Sequence, residues 1–117
     1  MIDYDAMSDG ELSLEVGKRV VDGICSYMIH DHKAVFNTRD DEFFIEFDIN
    51  NPSGMWDIIV KHGINIEFDE CAAFQNAYIC NEEGYPAFEH GFDTKNRSIT
   101  PLRAAAICFL KMQEAKE

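Results

Sequence analysis

The chain has 117 residues, 46% of them apolar and nine of them Phe, a length that suits one domain and an apolar fraction that suffices for a packed core. Its 22 acidic residues outnumber 10 basic ones, for a formal net charge of −12, and such a surface repels phosphate backbones, so direct binding to DNA or RNA is not expected. The longest apolar runs, such as Ala104 to Leu110, fall far short of the roughly 20 residues that cross a bilayer.

The stretch Met1 to Gly10 is acidic and polar, whereas a secretory signal opens with a positive patch and an apolar run, so the expected location is the cytoplasm. Cys25, Cys71, Cys80 and Cys108 are scattered without a C-x-x-C pair and read as free thiols. The acidity is lopsided. Residues 1–58 hold 13 acids and 4 bases, a net of −9, and residues 59–117 hold 9 acids and 6 bases, a net of −3.

In chain order, Met7-Ser8-Asp9-Gly10-Glu11-Leu12 is a helix start in which Ser8 caps and Glu11 completes a capping box. The helix is expected from about Asp9 to Gly23, with Leu12, Val16, Val20 and Ile24 on its inner stripe, widened by Val21. Two strands are expected next, Ala34 to Thr38 and Glu42 to Ile49. In the second, Phe43, Ile45, Phe47 and Ile49 alternate with Phe44, Glu46 and Asp48, the period of a sheet with one buried face. Asn50-Asn51-Pro52 stops that strand, and Ser53 is the expected cap of a short helix that Gly63 ends. Ile64 to Phe68 alternates again. Phe74 to Cys80 and Ala87 to Phe92 read as strands joined by Asn81-Glu82-Glu83-Gly84. Thr100 as cap and Pro101 in the first turn open a last helix to about Ala115.

The expected fold is therefore α+β in a single domain over residues 1–117. It is an antiparallel sheet of about four to five strands packed by N- and C-terminal helices, in the order α-β-β-α-β-β-β-α.

No catalytic constellation emerges. His30-Asp31-His32 is the one close histidine pair, and it lies near an expected helix end, where a loop is as good a reading as a metal-holding strand. None of the local signatures of a nucleophilic Cys is present, and no glycine loop cradles phosphate. Neither a metal nor a cofactor is expected. The clustered carboxylates Asp40, Asp41, Glu42, Glu46 and Asp48 read first as a solvated face. Trp56 reads first as the anchor of its helix to the core, and as the aromatic anchor of a protein interface if it is exposed. The same weighing applies to Phe44, on the opposite side of its strand from Phe43, Ile45 and Phe47.

Tyr4 to Val20, Asn51-Pro52 with Trp56-Asp57-Ile58-Ile59-Val60, Ile64 to Phe68, and Pro101-Leu102-Arg103-Ala104-Ala105-Ala106 with Phe109-Leu110 together resemble NinX-like phage proteins. These are small proteins of unknown function from tailed phages and prophages. A looser likeness, through the Trp segment and the Ala-rich last helix, is to a phage domain described as an α/β/α sandwich. The resemblance implies a phage or prophage origin and an accessory role in infection. It brings no catalytic residues, because the matching positions are mostly core and caps.

The expected function is thus a non-enzymatic acidic module. It would bind a host or phage protein with a basic surface through Asp40, Asp41, Glu42, Phe44, Glu46, Asp48 and Trp56, inhibiting it as a DNA mimic does. A domain that binds a small molecule or metal, acting as a signal sponge, and a structural homo-oligomer are the alternatives.

Overall fold

The Ser8 hydroxyl accepts the Glu11 N–H at 3.1 Å and the Glu11 carboxylate accepts the Ser8 N–H at 3.1 Å. This reciprocal box starts helix α1 (Asp9–Val20), as the sequence predicts. The computed structural model describes residues 2–38, 44–68, 75–92 and 100–116. Within it the chain divides into two compact units, Met1–Gly54 and Met55–Glu117.

In the first unit, α1 stops at Val20 instead of running to Gly23, and Val21 is already extended. Gly23 then turns the chain at a φ of +72° into strand β1 (Ile24–His30), which the sequence pattern does not announce. Its sequence, Ile-Cys-Ser-Tyr-Met-Ile-His, is rich in strand formers, but it lacks polar–apolar alternation because most of the strand is exposed on both faces. Asp31, at a φ of +57°, and His32 turn β1 back into β2 (Lys33–Thr38). Strand β3 (Phe44–Phe47) ends two residues before the expected Ile49 and completes the antiparallel sheet β1-β2-β3.

Helix α1 lies on one face of this sheet. Gly17 abuts the Phe36 ring and Gly10 abuts Ile29 and the Asp31 carbonyl, so two glycines bring the helix backbone down onto the strands. Leu12, Val16, Ala34, Phe36, Phe47 and Ile49 are buried. Ser13, fully buried among them, donates to the His32 carbonyl at 3.3 Å and accepts the Ile49 N–H at 3.1 Å. One hydroxyl thereby satisfies two backbone groups.

Helix α2 (Pro52–His62) begins one residue before the expected cap. The Asn51 side chain accepts the Ser53 N–H at 3.1 Å, displacing Ser53 from that role. Gly63 ends the helix at a φ of +63°, with the Ile64 N–H returning to the Ile59 carbonyl.

Strands β4 (Asn65–Glu67), β5 (Gln75–Cys80) and β6 (Pro86–Phe92) form the antiparallel sheet of the second unit. The Asn81 side chain accepts the N–H groups of Glu83 and Tyr85 to close the β5–β6 turn. Thr100 Oγ1 accepts the Arg103 N–H at 3.0 Å and caps helix α3 (Pro101–Lys116). This helix packs on β5 and β6. Ala104, Ala105 and Ala106 are wholly buried, which fits the close approach their small side chains permit.

The class is α+β, as the sequence implies. Among the described residues, the expected single sheet of four to five strands is instead two sheets of three strands each. Strand β1 supplies a third strand to the first, and α2 follows that sheet before the second begins. Among the described residues no helix is long and apolar enough to cross a membrane.

Candidate interaction surface

The register of the first sheet decides which side chains share its open face. Val35 lies opposite Met28 on one side and Glu46 on the other, while Asn37 lies opposite Ser26 and Phe44. Because side chains alternate and Phe36 points at α1, this second set points away from the helix. Two polar contacts lie on the open face: Lys33 Nζ to Glu46 Oε2 at 2.9 Å, and Asn37 Nδ2 donating to Ser26 Oγ at 3.0 Å. Phe44 is 65% exposed and Met28 58% exposed. Together with the half-buried Val35 they leave apolar surface open to solvent beside an exposed ion pair.

Of the residues singled out in the sequence, Phe44 and Glu46 therefore share one face. Phe44 is on the side opposite Ile45 and Phe47, as its strand period predicts. Asp48 is committed elsewhere. Its carboxylate accepts the Asn50 N–H at 2.9 Å and stands 3.2 Å from His32 Nε2, so it shapes the turn after β3. Asp40, Asp41 and Glu42 lie outside the described residues.

Trp56 belongs to the second unit. The reading of it as a core anchor is overturned, since the side chain is 63% exposed on α2. Val60, one helical turn on, is equally exposed, and residues four apart share a helix side. Met55, Ile58 and Ile59 point inward in their place. Trp56 and Val60 thus make a separate apolar spot.

The sequence does not single out Met28 and Val35, because β1 has no sequence period and the short strand Ala34 to Thr38 does not show which of its faces is covered. Consecutive apolar residues in Tyr27-Met28-Ile29 are the signal that could have found them.

The two histidines of His30-Asp31-His32 occupy different places. His30 closes β1 and His32 sits in the turn. Among the described residues no group of three or more His, Cys, Asp or Glu side chains is placed to hold an ion. In the second unit, burial pushes the Cys108 thiol up to about 12, so it stays protonated at neutral pH and is a poor nucleophile. Burial, helped by the cations of Lys61 and Lys116, lowers the His62 pKa where its ring packs 5.0 Å from that of Phe109. Among the described residues, the Cys108 thiol donates to the Phe88 carbonyl and the His62 ring lies on Phe109, and neither contact is that of a nucleophile with its base.

In comparison with known proteins, the chain matches no protein-family model, no curated protein and no solved structure.

Proposed function

We propose that the chain is a non-enzymatic, acidic protein-binding module that engages a basic protein, and that its exposed aromatic residues anchor the contact. The observation that carries this reading is Phe44, which stands in solvent on the open sheet face with Glu46 next to it on β3 and the exposed Met28 on the same face two strands away. Aromatic anchors framed by polar rims carry a disproportionate share of binding energy at protein interfaces. The net charge of −12 speeds encounter with a positive partner and suppresses acidic ones. Trp56 offers a second anchor of the same kind in the other unit. The resemblance to NinX-like phage proteins supports placing this module among phage accessory proteins. The partner is then a host or phage protein whose basic surface normally meets nucleic acid.

The test is a tagged pull-down from phage-infected host cells at low and high salt, read by mass spectrometry. The intact chain should retain a basic protein that salt releases. A variant with Asp40, Asp41 and Glu42 changed to Lys should lose it, and Phe44→Ser should weaken it by about 1–3 kcal/mol. Full retention of the partner by both variants would overturn the proposal.

A further inference from the structure

The two sheets have four edge strands, and β1 differs from the other three. Strand β4 is short and carries Glu67; β6 carries Pro86 and Glu89; β3 carries Glu46. Such charges and prolines are the usual protection of a sheet edge against pairing. Ser26 to His30 contains no carboxylate, lysine, arginine or proline, in a chain with 22 acidic residues. Tyr27 and Met28 are 53% and 58% exposed, Ile29 is exposed as well, and these three neighbours point to both faces. Among the described residues no strand pairs with the outer edge of β1.

The hairpin geometry tells which backbone groups that edge offers. His30 and Lys33 close the two-residue turn, so they exchange backbone hydrogen bonds, and pairs alternate from there. Met28 and Ser26 therefore direct their N–H and C=O groups toward β2, while Tyr27 and Ile29 direct theirs outward. The irregularity between Ile24 and Ser26 ends the regular outer edge at Ser26. The straight segment is Ser26–His30, and its midpoint is Met28.

We propose that two copies of the chain pair antiparallel through β1, related by a two-fold axis at Met28. Tyr27 of each copy then lies opposite Ile29 of the other and exchanges two hydrogen bonds with it. Met28 faces its counterpart across the axis, and Ser26 faces His30. The second copy is favoured as the occupant by charge. Molecules of net charge −12 repel each other, and this uncharged strand is where two of them can meet without opposing carboxylates. A basic partner drawn by acidic groups finds none along it. Tyr–Ile is also a favourable cross-strand pair, and the arrangement forms it twice.

The pairing is tested on the full chain. Sedimentation at concentrations on the order of 100 μM should give twice the 13.4 kDa chain mass. Met28→Lys, which sets two ammonium groups against each other, should weaken dimerisation by about tenfold or more. Met28→Cys should oxidise to a covalent dimer, because non-hydrogen-bonded pairs bring Cα atoms to about 4.5 Å; the unmodified chain and Phe44→Cys should not. Amide exchange on the unmodified chain gives a readout free of any folding defect. Tyr27 and Ile29 amides should be protected at high concentration and lose that protection on dilution, while Met28 stays protected. A monomer at all concentrations, or a dimer in which Tyr27 and Ile29 amides exchange freely, would overturn the proposal.

Discussion

Ser13 shows how much one small side chain holds in the first unit. Its hydroxyl is the partner of the buried Ile49 N–H and also reaches the His32 carbonyl. In Ser13→Ala the volume hardly changes, but the Ile49 donor is left without that acceptor, a loss of about 1–3 kcal/mol. Urea unfolding should show it as a lower midpoint at unchanged slope.

Cys108, fully buried on α3, sets a pH limit. Its folded pKa of about 12 lies above the ordinary thiol value of 9.0. Below about pH 9 both folded and unfolded chains are protonated there, and the stabilisation is complete. Above it the unfolded chain ionises while the folded one does not, so stability falls as pH rises toward 12, at a limiting slope of about 1.4 kcal/mol per pH unit. Urea midpoints between pH 8 and 11 should fall more steeply for the native chain than for Cys108→Ala. Equal slopes would refute the assignment. In the same vein, a thiol reagent at neutral pH should label the exposed Cys25 and Cys80 well before Cys108.

At the scale of elements, the two glycines of α1 oppose ordinary helix logic. Gly→Ala inside a helix normally gains up to about 1 kcal/mol. Here a methyl group at Gly17 would drive into the buried Phe36 ring, and one at Gly10 would meet the Asp31 carbonyl at 2.7 Å. Overpacking of this kind costs about 1–3 kcal/mol, so Gly17→Ala should be net destabilising and lower the melting temperature. A rise would show that the helix stands further from the sheet than described.

The legibility of the elements follows from how local their causes are. The capping box at Ser8, the Thr100 cap and the Gly63 stop are written within a few residues of each helix end, and all are readable. Strand β1 is not, because an edge strand exposed on both faces carries no period-two pattern. Its first apolar residue also continues the four-residue spacing of α1 as far as Ile24, which extends the expected helix. The candidate surface is half readable. Phe44 follows from alternation in its strand, but Met28 and Val35 join it only through strand register, which no local pattern records. Trp56 is misplaced for a related reason. Met55, Ile58 and Ile59 form the buried side of α2, and Trp56 falls on its exposed side.

For the whole molecule, charge outweighs any single contact. A few surface pairs, such as Lys33–Glu46 and the Glu15 contacts with Lys18 and Arg19, are worth at most about 0.2–1 kcal/mol each and weaken in salt. Against them stands the self-repulsion of twelve uncompensated negative charges, which destabilises the compact state. Raising ionic strength from about 0.01 to about 0.1 M shortens the screening length from about 30 Å to about 10 Å. Repulsion should be relieved more than the pairs are weakened, so the melting temperature should rise with salt. A fall would mean that the ion pairs outweigh the net charge.

Both sheets are wound in chain order: each strand pairs with its immediate neighbour in sequence, and the helix packed on each sheet belongs to the same half of the chain. Strand pairings are thus made between neighbouring segments of the polypeptide, and such pairings close their loops cheaply. During synthesis, α1 and the three strands of the first unit have all been made by the time Gly54 is added. The first unit can therefore take shape while the second is still being translated.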